Sequence, residues 1–171
     1  MPEWGWTLAP LLIGFLDVRA NHCVTDCFAR NDIAPRTHLS AGALVFEDEV
    51  IGEEIYLRHD LGRRYGPVGF AVGVSATTEG SVWAGLGATY TLELPPEGLY
   101  AQFHFMPGLQ HQGDSLDIGG PVAARAGVEL GVEMENGMRV SLSLDHRSHG
   151  GIHDENPGVE TVQFRVSLPH W

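Results

Sequence analysis

Apolar and polar residues alternate along most of this chain from residue 38 onward. A period of two places successive side chains on opposite faces of a β-strand. The alternation predicts eight strands, at residues 38–48, 52–61, 67–77, 81–93, 98–109, 120–134, 137–148 and 159–169. Short turns at 62–66, 95–98 and 135–137 and longer connections at 110–119 and 149–158 favour an up-and-down order.

The last predicted hairpin has one apolar face and one charged face. The apolar face carries Val140, Leu142, Leu144, Val162, Phe164 and Val166, and the opposite face carries Arg139, Asp145, Arg147, Gln163 and Arg165. In a soluble barrel the apolar set fills the interior and the polar set meets water. Apolar-out and polar-in alternation is instead typical of a transmembrane β-barrel.

These patterns predict an all-β fold, an eight-stranded antiparallel up-and-down transmembrane β-barrel. Eight strands make a narrow barrel whose interior is filled by side chains. We therefore expect the interior charges to form a salt-bridge network, with members Glu129, Arg139, Asp145, Arg147 and Arg165.

Length and composition bound the remaining possibilities. The 171 residues suffice for one domain, and no run approaches the ~18 apolar residues of a transmembrane helix. We assign residues 38–171 to the barrel and residues 1–37 to an N-terminal segment, which is either a signal remnant or an extension. A formal net charge of -12 argues against nucleic acid as a partner.

The cysteines and the histidine-rich loop give no strong metal signal. Cys23 and Cys27 either form a small disulfide loop or are incidental thiols. A zinc site would need two further ligands, and His22 is the single near neighbour. His153, Asp154 and Glu155 fit a solvated loop better than a metal site. We predict no metal and no cofactor.

Three residues with catalytic chemistry meet at one end of the last hairpin. His146 and Ser148 lie two residues apart and so share a strand face, and the return strand brings Glu160 beside them. A serine, an imidazole and a carboxylate are the groups of a serine esterase: nucleophile, base and orienting acid.

The segment that holds these residues, DHRSHGGIHDENPGVE at 145–160, resembles the PagL-type lipid A 3-O-deacylases of outer membranes. The family's His-x-Ser step is matched by His146 and Ser148, its Asn-Pro-Gly loop by residues 156–158, and its acid by Glu160. The resemblance implies that Ser148 is the nucleophile, His146 the general base and Glu160 the group that orients His146.

The resemblance also implies an oxyanion site in the loop. The family places an Asn directly after the Ser, with a nearby glycine amide as the second donor. This chain has His149 at the Asn position and keeps the glycine as Gly151. Asn156 is expected to support the loop by bonding backbone before the Pro-Gly turn.

The implied function is an outer-membrane serine esterase that hydrolyses the ester-linked 3-O acyl chain of lipid A. Its partners would be lipopolysaccharide and outer-membrane lipid, and a homodimer is left open. One alternative is a catalytically impaired or non-catalytic small barrel. Another is a soluble lipid-binding barrel, which requires Arg139, Arg147 and Arg165 to face water.

Overall fold

The computed structural model describes residues 16–18, 26–152 and 157–170. Nine strands follow one another along the chain: β1 (Arg30–Asp32), β2 (Arg36–Phe46), β3 (Glu49–Tyr65), β4 (Val68–Thr77), β5 (Val82–Leu94), β6 (Leu99–His111), β7 (Val122–Glu133), β8 (Arg139–Ser148) and β9 (Val159–Pro169). No helix among the described residues is long and apolar enough to cross a membrane.

Strands β2 to β9 form a closed antiparallel barrel. Each strand pairs with the next, and β9 returns to pair with β2. Closure leaves none of the eight barrel strands at a free edge, which is a condition for strands in a lipid environment. The predicted fold is therefore confirmed: eight antiparallel strands in up-and-down order.

The sequence did not predict β1, and it ended β3 too early. Gly62 has a φ of 73°, and the pairing of β3 with β4 shifts register between Asp60 and Arg64. The glycine thus makes an irregularity inside β3 rather than the predicted turn. Beyond it, the end of β3 pairs with the three residues of β1.

The barrel has two unlike ends. The connections at 66–67, 95–98 and 134–138 lie at what we call the turn end, and those at 47–48, 78–81, 112–121 and 149–158 lie at the loop end. Strand β8 runs toward the loop end and β9 runs away from it. The last residues of β8 and the first residues of β9, which include the candidate catalytic residues, therefore lie at the loop end.

The outer face of the barrel is apolar. Leu142 and Phe164 are 64% and 55% exposed, and similarly exposed side chains occur on every barrel strand, among them Leu39, Ile55, Val74, Leu86, Phe105 and Leu130. A continuous apolar exterior suits lipid and is unfavourable in water. The soluble-barrel alternative is wrong, because Arg147 and Arg165 are buried inside the barrel.

The interior holds a charge-balanced network. Among the described residues, it contains four arginines and four carboxylates: Arg58, Arg125, Arg147, Arg165, Glu54, Asp60, Glu129 and Asp145. Arg125 donates to Glu54 and to Asp145, in each case at 2.7 Å. Opposite charges are equal in number among these eight residues, so the network itself carries no net charge, which is the condition under which its burial is tolerable.

The predicted network members are confirmed with one exception. Arg139 lies near the turn end, where it contacts Glu133 and its guanidinium carbon stands 4.4 Å from the centre of the Tyr100 ring. It pairs with Glu133 rather than with a carboxylate of the central network because it is the first residue of β8.

An apolar cluster packs among the interior charges: Met106 pairs with Arg125, and Ala71 pairs with Asp60. Its buried members are Leu44, Tyr56, Ala71, Trp83, Met106, Ile118, Ala123 and Val159. The Trp83 indole N–H donates to the Ala123 carbonyl at 3.0 Å. Val159 begins β9, so the cluster supports from inside the strand that carries Glu160 on its outer face.

Cys27 is disulfide-bonded. The other cysteine of the chain, Cys23, lies outside the described residues, as do His153, Asp154 and Glu155.

Candidate active site

The pairing of β8 with β9 places His146 directly opposite Glu160. His146 Nδ1 lies 3.0 Å from Glu160 Oε1, and the two side chains are 49% and 43% exposed. Both project from the outer face at the loop end. Cross-strand partners in antiparallel sheets have close Cβ atoms, so the backbone register brings the two side chains within reach of each other.

Ser148 lies one step further along the same strand, but it is less exposed than the sequence suggested. It is 9% exposed, at the point where β8 enters the loop. Within the part of the chain that the structure describes, no hydrogen bond joins the Ser148 hydroxyl to His146. The structure thus pairs base and carboxylate tightly and leaves the serine close in sequence but unbonded to the base.

Arg147 anchors the strand between His146 and Ser148. Its side chain points inward, where Nη1 donates to Glu54 Oε1 at 2.9 Å. Glu54 also accepts from Arg125 and from Gln163, so it joins β3 to β7, β8 and β9. Sequence reasoning missed Glu54. Glu54 alternates with Tyr56 and Arg58 along β3, and this period of two could have assigned it to the inner face.

The loop after Ser148 begins with a tight turn. Gly150 and Gly151 have φ angles of 65° and 80°. Positive φ at both central residues is the mark of a type I′ turn, which glycine adopts without steric cost. The Ile152 N–H donates to His149 Nδ1 at 3.0 Å, and the His149 ring is buried. His149 therefore closes the turn, and Gly151 lies on its exposed side.

Asn156, the third predicted supporting residue, lies outside the described residues. No observation tests the predicted roles of His149, Gly151 and Asn156 in catalysis, and these roles stay predictions.

Negative charge surrounds the loop end. The described parts of the four connections there carry no Arg or Lys, and they contain Glu47, Asp48, Glu79, Asp114 and Asp117. Val45 pairs with Glu160, so the acidic turn at 47–48 lies next to the site. Arg125 and Arg147 lie closest to this end along their strands, but both are buried in the interior network.

Comparisons with known proteins identify the family and the fold. A family model described as lipid A 3-O-deacylase (PagL) matches residues 54–169, and no curated protein sequence matches the chain. The crystal structure of the outer membrane enzyme PagL matches with a TM-score of 0.62 and 15% identity, covering 79% of this chain and 99% of that one. A de novo designed transmembrane β-barrel matches with a TM-score of 0.60 and 7% identity, covering 82% of this chain and 98% of the design.

The solved structures share the barrel fold, and the family model extends over both strands that carry the site. Family and apolar exterior together place the protein in the outer membrane. Because the model matches more than half of its length, the chain belongs to the PagL family of lipid A 3-O-deacylases.

Proposed function

We propose that this protein hydrolyses the ester-linked 3-O acyl chain of lipid A, with Ser148 as nucleophile, His146 as general base and Glu160 as orienting carboxylate. The observation that carries the proposal is the 3.0 Å contact of His146 Nδ1 with Glu160 Oε1, two residues from Ser148 on the same strand. Family membership supplies the reaction class.

The His146–Glu160 contact selects the useful tautomer of the imidazole. An ionised carboxylate only accepts hydrogen bonds, so Nδ1 must carry the proton that it shares with Glu160. In the neutral ring Nε2 is then the lone acceptor, and it is the atom available to take a proton from a serine hydroxyl. A contact between nucleophile and base is often long before substrate binds, and it tightens in the complex.

The proposed reaction has two steps, acylation of Ser148 and hydrolysis of the acyl-serine. The Ser148 oxygen attacks the ester carbonyl while His146 Nε2 takes the hydroxyl proton. The tetrahedral intermediate collapses, the bond to the sugar oxygen breaks, and His146 returns the proton to that oxygen. Water then attacks the acyl-serine with His146 again as base, which releases the fatty acid and restores the Ser148 hydroxyl.

The turn after Ser148 is the source of oxyanion donors in this proposal. The Gly151 amide lies on the exposed side of the turn at 149–152, where a backbone N–H can face a bound ester. His149 Nδ1 is already an acceptor for Ile152 N–H, so the neutral ring could donate only through Nε2.

The outer face below the site suits the acyl chain. Leu144 pairs with Val162 in the row directly beneath His146 and Glu160, and both are about half exposed. A lipid ester at the loop end can therefore keep its acyl chain against the apolar barrel while its carbonyl meets the polar residues.

The test is mass spectrometry of lipid A after incubation with the refolded protein. The wild type should release one 3-hydroxy fatty acid, and Ser148→Ala should lose most of that release. Ser115→Ala changes a serine in another loop-end connection and serves as the matched control, with unchanged activity expected. A folded barrel that leaves the lipid A mass unchanged would refute the proposal.

A further inference from the structure

We propose that Gly158 is a positioning residue, whose missing side chain provides the seat for the His146 imidazole. The inference rests on the proposed role of His146, but its geometry stands independently. Gly158 lies two residues before Glu160, so both share the outer face of the polypeptide entering β9.

The imidazole occupies the space that a side chain at position 158 would need. A Cβ built on Gly158 would stand 2.8 Å from His146 Nε2 and 3.2 Å from Nδ1, and it would come closer still to Cε1. These three ring atoms are the nearest neighbours of that position. The nitrogen-bearing edge of the ring thus rests against Gly158 while Nδ1 contacts Glu160.

The seat draws the ring toward the serine. Arg147 pairs with Val159 at the end of the ladder, so continuing the antiparallel register sets Ser148 across from Gly158. An imidazole that leans from the row of Glu160 onto Gly158 therefore leans toward the row of Ser148. A methyl group at position 158 would push the ring off this seat and away from the nucleophile.

Nothing in the backbone requires glycine at this position. The φ angle of Gly158 lies outside the positive range in which L-residues are strained, unlike those of Gly150 and Gly151. The clash of an added methyl would be with a side chain that is half exposed and can swing outward. We therefore expect Gly158→Ala to fold like the wild type, with only the His146 ring displaced.

The experiment is a double-mutant cycle of Gly158→Ala and His146→Ala, with kcat and KM measured on lipid A. Misplacement by about 1 Å can lower a rate about a hundredfold. We expect Gly158→Ala to lower kcat about a hundredfold with KM changed less than about threefold. In the His146→Ala background the same change should have no effect, because no ring is left to displace.

Gly52→Ala is the matched control. A Cβ there would also meet the end of a polar side chain, that of Glu79, and the φ of Gly52 is not positive. It should leave kcat unchanged. Wild-type kcat in Gly158→Ala, or equal losses in both backgrounds of the cycle, would overturn the proposal, since the second result would assign the effect to the backbone.

Two further readouts separate this proposal from the esterase proposal. In protein labelled at histidine, the His146 ring resonances should shift in Gly158→Ala and stay unchanged in Gly52→Ala. The shift is expected even if the wild type hydrolyses no lipid A. Unshifted His146 resonances in Gly158→Ala would refute the proposed contact between the ring and Gly158. If Gly158→Ala fails to fold, the double variant with His146→Ala should fold, and failure of both would place the clash in the backbone.

Discussion

Replacing Glu54 with glutamine should destabilise the barrel by weakening its interior network of charges. Glu54 accepts hydrogen bonds from Arg125, Arg147 and Gln163. The substitution keeps the shape and one acceptor oxygen but removes the charge. The interior then holds four arginines against three carboxylates.

Most of the lost free energy of unfolding should come from Arg147, which would lose its carboxylate partner. Arg125 keeps Asp145, which lies 2.7 Å from its Nε, whereas Glu54 is the only carboxylate in contact with Arg147 among the described residues. Arg147 Nε already has no hydrogen-bond partner in that part of the structure. Breaking a buried pair so that one charge is left uncompensated costs about 3–5 kcal/mol. We expect the lower end, about 3 kcal/mol, because the amide oxygen of the new side chain would still accept one bond.

The assay is reversible urea unfolding in detergent micelles, followed by tryptophan fluorescence. Trp83 is a suitable reporter, because its ring centre lies 5.7 Å from the Arg125 guanidinium carbon. The same variant should also lose kcat, since Arg147 anchors the strand between His146 and Ser148.

Glu53→Gln is the matched control, because Glu53 is exposed on the opposite face of the same strand. Its free energy of unfolding should stay within about 0.5 kcal/mol of the wild type. Glu54→Gln combined with Arg147→Met restores equal charge inside and should recover most of the loss. Equal stabilities of Glu53→Gln and Glu54→Gln would refute the reasoning about the interior network.

The other predictions concern the site. Ser148→Ala and His146→Ala should each abolish most deacylation, and the double variant should be little worse than either; additive losses in steady-state kinetics would show that they do not act as one unit. Glu160→Gln should retain more activity than His146→Ala, as measured by kcat on the same ester, because the amide still orients the ring. His149→Ala should lower kcat while His149→Asn retains it, since Asn keeps an acceptor for the turn; identical kinetics of both variants would exclude that role. The rate on phosphate-bearing lipid A at low substrate concentration should rise with added salt, because salt screens repulsion by the acidic loop end, whereas the rate on an uncharged ester should not change.

The sequence alone was sufficient for the eight barrel strands and for the faces of the last hairpin, although it missed β1 and ended β3 at residue 61. Alternation is a local property with a period of two, so it predicted which side chains of β8 and β9 point inward and outward. It also predicted that His146 and Glu160 meet, because a hairpin fixes register between neighbouring strands. The DHRSHGGIHDENPGVE segment was specific enough to indicate the family, which the family model confirmed.

Closure of the barrel decided what the local pattern could not. Glu54 and Arg125 lie 71 residues apart and meet only because β3 and β7 face each other across the interior. Three-dimensional packing likewise decides the irregularity at Gly62 and the burial of Ser148. It also decides the contact between the His146 ring and Gly158. Periodicity assigns a residue to a face, but its partner on that face depends on strand tilt and on how the sheet closes.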